Sequence, residues 1–377
     1  MFLLNLFDFR MLNFNLFSII YKNLYTLITS NDLSKVYCVG FILGFFFCFQ
    51  ILSGVLLSFI YNNNFNNCWF SVINMIDFEA GFLIRSIHIT GTSFIYFNLY
   101  LHIFKTFLYT ILHNTSFLIW LIGFIIYFLS VIIAFIGYVL PLTQMSYWGL
   151  TVFSNILSTL PFIGKILCYW VWGSEFIQDF TLIKVHSLHI FLPFILLFFI
   201  VFHFFFLHYF LSSDTFDDRF CFYYEKNIFI YFFLFRDLFV SLFYFYFFTY
   251  FLYINWYFVF HEESFEIVNT MKTSDKIIPE WFFLTFFGFI KAIPDKFGGI
   301  CVLVVFLICF FFLNFFIVFL NKYYYISIYY FSNVILLFYL LYFIGILSTN
   351  VTLLFPFIEI LQIFVFFLIF LFSIKFF

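Results

Sequence analysis

Charge is what this sequence has least of. Of 377 residues only 9% are Asp, Glu, Lys or Arg, while 66% are hydrophobic, and the mean hydropathy is +1.13. A soluble domain carries about 25% charged residues, so there is too little polar surface here to cover a water-exposed body. No basic cluster exists to neutralise phosphates, which excludes nucleic acid as a partner. The seven cysteines form no CxxC and lie mostly in apolar runs, where Cys behaves as a small hydrophobe, so neither disulfides nor iron–sulfur ligation is expected. Residues 1–30 lack a basic start and a small-residue cleavage site, so no signal peptide is expected. Ala and Gly are scarce, whereas Phe alone supplies 77 residues and aromatics make up 29%. Such a bias suits an AT-rich, organellar genome, since exchanging Leu for Phe costs little where side chains face acyl chains. Most Phe residues are therefore filler.

A helix needs about 20 mostly apolar residues to cross roughly 30 Å of hydrocarbon. Runs of that kind predict eight transmembrane helices, near 36–60, 81–105, 117–140, 186–210, 228–252, 299–320, 325–347 and 353–374. Barrel-type alternation is absent, so the fold class is an all-α polytopic membrane protein. Residues 5–28 and 141–184 read as helices lying on the membrane surface, the latter punctuated by Pro141, Pro161, Gly149, Gly164 and Gly173. The stretch from His261 to Lys296 holds ten charged residues together with Pro279 and Pro294, which predicts a structured extramembrane loop. Two regions follow: 1–220, carrying the first four spans, and 221–377, carrying the last four and that loop.

Orientation follows from the distribution of Lys and Arg. The side of the N-terminus collects Arg10, Lys22, Lys35, Lys105, Arg219, Lys226, Arg236, Lys322 and Lys375. The other side has Arg85, Lys165 and Lys184, leaving aside the four Lys of the long loop. Both termini are thus expected on the negative side, with loops 141–184 and 253–298 on the positive side.

Histidine is spaced in a way that composition does not explain. His88 and His102 lie fourteen residues apart in the second span, and His189 and His203 fourteen apart in the fourth. Fourteen residues turn a helix by about 1,400°, so each pair shares a face, about 21 Å apart along the axis. Taken as antiparallel neighbours, the two helices would present two facing couples. Random placement of eight His gives about 0.15 such pairs, far below the two found. Each histidine alone could be a bundle-interior side chain bonded to its neighbours. A zinc site lacks ligands, because each couple supplies only two nitrogens, whereas two axial imidazoles are what a six-coordinate haem iron takes. Glycine repeats the number, with Gly40 and Gly54 in the first span and Gly123 and Gly137 in the third. Alone these would mark helix–helix packing; in register with the histidines they would let a flat macrocycle approach the backbone.

These residues sit in longer matches. The chain reads Arg85-Ser-Ile-His88-Ile-Thr-Gly91, Gly137-Tyr-Val-Leu-Pro141, Gln144-Met-Ser-Tyr-Trp148-Gly149, Trp170-Val-Trp172-Gly173, His189-Ile-Phe-Leu-Pro193, Pro279-Glu280-Trp281-Phe282 and Ile293-Pro294-Asp295-Lys296-Phe297-Gly298-Gly299. Over essentially its whole length it resembles mitochondrial-type cytochrome b, the haem-bearing subunit of the respiratory cytochrome bc complex (complex III). It differs from the split chloroplast relative, which ends after four spans and has one more residue between its fourth-span histidines.

The resemblance implies a four-helix bundle holding two non-covalent haem b groups, the low-potential one on His88 and His189 and the high-potential one on His102 and His203. It implies quinol oxidation on the positive side, with Glu280 accepting a proton and Tyr138, Met145, Gly149 and Phe282 lining the pocket. It implies quinone reduction on the negative side at His208, Arg236 and Asp237. Arg85 and Lys105 would meet haem propionates, although snorkelling alone also accounts for Lys105. His113, His186 and His261 match no family ligand. The resemblance further implies catalysis as part of ubiquinol–cytochrome c reductase with proton translocation, a Rieske iron–sulfur partner, a cytochrome c-type haem subunit, other complex III subunits and a homodimer. The location implied is the mitochondrial inner membrane, with both termini in the matrix. The sequence departs from the family pattern at Phe282, where Tyr is usual, at Leu142-Thr143 for Trp-Gly, and at Val36-Tyr37-Cys38 for Trp-Trp-Asn. The competing expectation, a proton-coupled transporter using the histidines as a relay, calls for interrupted or charged spans that the sequence lacks.

Overall fold

The structure, a computed structural model, describes residues 35–110, 117–210, 233–255 and 262–320, together with Tyr21 and the segments 28–30 and 226–228. Ten α-helices are described: α1 (Val39–Ser58), α2 (Cys68–Ile76), α3 (Glu79–Thr110), α4 (Phe117–Val139), α5 (Gln144–Leu157), α6 (Gly164–Trp172), α7 (Asp179–Phe210), α8 (Phe235–Asn255), α9 (Leu284–Lys291) and α10 (Lys296–Leu320). Six of the eight expected spans coincide with α1, α3, α4, α7, α8 and α10. The expected spans 325–347 and 353–374 lie outside the described residues, as does nearly all of the expected surface helix 5–28.

Among the described residues four helices, α1, α4, α7 and α8, are long and apolar enough to cross a membrane by length and composition. The longer α3 is not one of these four. Arg85, His88, Asn98, His102 and Lys105 dilute its hydropathy, and Ser86, Thr90, Ser93 and Asn98 are buried on it. A helix with polar groups turned inward belongs in the middle of a bundle, away from lipid. By contrast α7 turns Phe191, Phe194, Phe198 and Phe202 outward, all exposed, where acyl chains would cover them. It also begins at Asp179, seven residues before the expected apolar run. There the Gln178 N–H donates to Thr181 Oγ1, whose hydroxyl donates to the Trp172 carbonyl, and this sets the first turn.

Two helix pairs make the N-terminal bundle, α1 against α3 and α4 against α7. Partners within each pair run antiparallel, since Gly54 meets His88 while Gly40 meets His102, and Gly137 meets His189 while Gly123 meets His203. The two histidine-bearing helices are parallel, which corrects the antiparallel expectation: the couples are His88 with His189 and His102 with His203. A single intervening span returns the chain to the same side, so spans two and four must share a direction.

Residues 141–184 form short helices as expected, α5 and α6. Thr143 caps α5 through a reciprocal pair, the Ser146 N–H donating to Thr143 Oγ1 at 3.3 Å and the Thr143 N–H to Ser146 Oγ at 2.9 Å. At the end of α6, Gly173 takes φ +74°, which a side chain would resist, and its N–H closes the helix on the Tyr169 carbonyl. One feature departs from an all-helical chain: β1 (Ile28–Ser30) pairs antiparallel with β2 (Lys226–Ile228), Thr29 opposite Asn227. Thr143 also makes an isolated bridge with Ile267.

Candidate functional site

The four span histidines form two couples, one above the other. The ring centroids of His88 and His189 lie 6.2 Å apart with planes at 83°, and those of His102 and His203 lie 6.4 Å apart with planes at 68°. Two imidazoles binding one metal ion from opposite sides have centroids about 6.3 Å apart, from a metal–nitrogen bond of about 2 Å plus half a ring on each side. Both couples fit that spacing. Their outer nitrogens fit it too. His189 Nδ1 is 3.0 Å from the Ile133 carbonyl, which can only accept, so Nδ1 carries the hydrogen. His88 Nδ1 is 3.0 Å from Ser53 Oγ, whose own hydroxyl donates to the Phe49 carbonyl at 2.8 Å. In both rings Nε2 is left with its lone pair, the form a metal requires. At the second couple, His102 Nδ1 is buried without a hydrogen-bond partner, and His203 Nδ1 lies toward the Ile119 carbonyl without reaching hydrogen-bond geometry.

The four glycines stand against these rings. A Cβ on Gly40 or Gly123 would lie 3.3 Å from Cε1 of His102 or His203, and one on Gly54 would lie 2.9 Å from Cε1 of His88. On Gly137 it would overlap the His189 ring outright. What glycine provides in this structure is room for the imidazole of the neighbouring helix. Pro193, one helical turn after His189, leaves the His189 carbonyl without its usual N–H partner.

Two residues at the first couple escaped the sequence reading. Ser53 orients the His88 ring, and Gln50 Nε2 donates to the His88 carbonyl at 2.6 Å and to Thr92 Oγ1 at 3.0 Å. Their signal was position: both lie within a turn of Gly54. Arg85, half-buried one turn before His88, has no carboxylate partner among the described residues. Lys105 places its ammonium 3.6 Å over the Tyr37 ring, a cation–π contact.

The charged loop is bound to the start of α5. Gln144 donates Nε2 to the Lys272 carbonyl at 2.7 Å, accepts the Asn269 N–H at 2.7 Å, and gives its own N–H to the Glu266 carbonyl at 3.0 Å. The loop then leads to Glu280 and the short helical turn Trp281–Phe283. This turn is held on α3: Tyr100 Oη donates to the Phe282 carbonyl at 2.7 Å, Trp281 Nε1 donates to Ser93 Oγ at 3.3 Å, and the Phe282 ring stacks on Tyr96 at 4.2 Å with planes 1° apart. Glu280 is an electrostatic neighbour of Tyr138, which in turn stands 3.9 Å from where a Gly149 Cβ would be. Burial raises the Glu280 carboxyl to about 7. Met145 is buried on the first turn of α5. Glu280, Tyr138 and Gly149 are thus brought together, with the Phe282 ring turned inward onto Tyr96.

At the opposite end, Arg236 and Asp237 open α8. Asp237 is 7% exposed, its Oδ1 accepting from Cys38 Sγ at 2.8 Å and lying 3.4 Å from Arg236 Nε. The Arg236 guanidinium also covers the Phe233 ring at 4.7 Å. His208 sits on the last turns of α7, its ring 6.4 Å from that of Phe204.

The chain is similar to known proteins in sequence and in fold. The family described as Cytochrome b/b6/petB matches residues 24–211, and Cytochrome b(C-terminal)/b6/petD matches residues 267–370. Cytochrome b of Leishmania tarentolae is 52% identical over 300 residues, covering 79% of this chain and 81% of its own. That of Trypanoplasma borreli is 50% identical over 304 residues, covering 80% and 81%. Cytochrome b of the bee Apis mellifera ligustica is 36% identical over 281 residues, covering 74% and 72%. A solved chain described as "Hyperthermophilic respiratory Complex III" shares the fold, with a TM-score of 0.84, 24% identity and 96% of each chain covered. With two family domains along most of its length and relatives above half identity, the chain belongs to the cytochrome b family.

Proposed function

We propose that this chain is the di-haem, quinone-handling subunit of a respiratory cytochrome bc complex, residing in the mitochondrial inner membrane with its N-terminus in the matrix. The observation that carries the reading is the pair of histidine couples at 6.2 and 6.4 Å. Bound at these couples, two haem b groups would supply one-electron transfer across the membrane. His88 and His189 would hold the positive-side group, and His102 and His203 the negative-side group. Gly40, Gly54, Gly123 and Gly137 leave the rings room to turn inward, and Arg85 and Lys105 are the cations available to propionates.

Quinol would be oxidised beside Glu280. A carboxyl raised to about 7 by burial is poised to accept a hydroxyl proton near neutral pH and pass it to the positive-side water. Tyr138, Met145, Gly149 and Phe282 would shape that pocket. Quinone would be reduced near His208, Arg236 and Asp237, which would supply protons drawn from the negative side. Each turnover then releases protons on one side and takes them up on the other. A Rieske protein and a cytochrome c-type subunit would accept the other electron of each quinol, in a homodimeric assembly with further subunits.

A reduced-minus-oxidised visible spectrum of membranes containing the chain tests this reading. Two bis-imidazole haem b signals are expected, and their absence would sink it.

A further inference from the structure

The sequence departs from its family at Val36-Tyr37-Cys38, just before α1. Cys38 is fully buried at the foot of α1 and is a free thiol among the described residues. It reaches 199 residues along the chain to Asp237, at 2.8 Å. An ionised carboxylate has no hydrogen to give, so the thiol donates. Arg236 approaches the same oxygen, with Nε and Nη2 each 3.4 Å from Oδ1. None of the described hydrogen bonds or ion pairs reaches Oδ2. A carboxylate 7% exposed, with one oxygen held by two donors, has a fixed orientation that sets its two oxygens apart.

We propose that Cys38 is a positioning residue for Asp237, pinning Oδ1 so that Oδ2 is the oxygen that exchanges a proton with quinone on the negative side. This rests on the reading of Asp237 as a quinone-reduction residue. Each quinone oxygen that becomes a hydroxyl takes one electron and one proton. Oδ2 takes up a proton from negative-side water and delivers it to the quinone oxygen, which returns the carboxylate to its starting form, and the thiol keeps its own hydrogen throughout. The family's usual Asn can donate through its amide in the same way, so Cys retains the donor while changing its chemistry. Besides Arg236, the cation near this thiol is Lys105, which is occupied over Tyr37.

The test uses the intact complex in membranes, with its haem pre-reduced and then mixed with a short-tail benzoquinone, the visible band reporting reoxidation. Cys38→Ala removes the donor, and about a tenfold slower reoxidation is expected, the size of one hydrogen bond to a charged group. Cys38→Ser restores a donor at similar volume and should recover most of the rate. Asp237→Asn should slow the reaction at least as much as Cys38→Ala. A fast Asp237→Asn complex overturns the site reading itself. A fast Cys38→Ala complex beside a slow Asp237→Asn complex overturns the role of Cys38 alone, as does a Ser variant as slow as Ala. Should the variants fail to assemble, the unmutated complex still decides. Its electrochemically induced infrared difference spectrum should show an S–H stretching band that shifts when quinone is reduced, and a band unmoved by quinone overturns the proposal.

Discussion

Ser53 Oγ lies 3.0 Å from Nδ1 of His88, the contact that fixes which nitrogen of that ring faces His189. A hydrogen bond from Nδ1–H to an acceptor makes the other ring nitrogen more basic, which favours the oxidised metal. Ser53→Ala should therefore raise the midpoint potential of the haem proposed at His88 and His189 by about 40 mV, the equivalent of about 1 kcal/mol for one electron. Redox potentiometry on membranes measures it. The signal of the haem proposed at His102 and His203 should stay where it was, and a shift of both together would count against a local effect.

The glycines give a graded prediction. Alanine at Gly137 should abolish the His88/His189 haem signal, because its Cβ would overlap the His189 ring, and alanine at Gly54 should weaken the same signal. Alanine at Gly40 or Gly123, with 3.3 Å to the nearest ring atom, should leave most of the His102/His203 signal. Haem content read from the visible spectrum of each variant checks the order, and uniform loss across the four would contradict it. His102→Leu, in turn, should remove one haem signal and spare the other.

Glu280 predicts a pH profile. Its carboxyl is raised to about 7 by burial, so below that value it is protonated and cannot accept a proton from quinol. Quinol oxidation should rise with pH through about 7 and then level off, and Glu280→Gln should lower and flatten the curve. Stability moves the other way. Between the ordinary carboxylate range and about 7 the folded state binds more protons than the unfolded one, so the fold loses stability as pH climbs through that window. Steady-state rates and thermal denaturation across the same buffers read both.

Thr143 stands where the family usually has Gly, and the structure supplies a physical gain: the reciprocal cap with Ser146 at the start of α5. Thr143→Ala should cost about 1 kcal/mol, and Thr143→Gly only a few tenths. The apparent melting temperature of the complex, followed by loss of the haem band, reports it. Equal melting of all three forms would mean that the cap adds nothing.

What the sequence made legible was whatever depends on the period of a helix. The spacing of fourteen in His88/His102 and in Gly40/Gly54 fixes a shared face whatever the tertiary structure does. The span helices follow from length and hydropathy for the same reason. Pairing between helices was not legible. That Gly54 makes room for His88, or that α3 and α7 run parallel, depends on which helix lies beside which. Short α2 carries too few residues for a periodic signal, and the three-residue strands β1 and β2 carry fewer still. Cys38 looked like one more small apolar residue, because its partner Asp237 lies 199 residues away. Phe282 read as a missing hydroxyl in a pocket, yet its ring lies flat on Tyr96, a stacking partner with no sequence signature.

Gln144, at the first turn of α5, holds the charged loop by three bonds, to Glu266, Asn269 and Lys272. The segment bearing Glu280 is anchored again on α3 through Tyr100 and Ser93. Clamped at both ends, it is a fixed wall and not a flap. A hydrophobic molecule that reaches Glu280 is therefore expected to arrive sideways, out of the lipid and between helices, so its access is set by bilayer partitioning and not by the opening of a door.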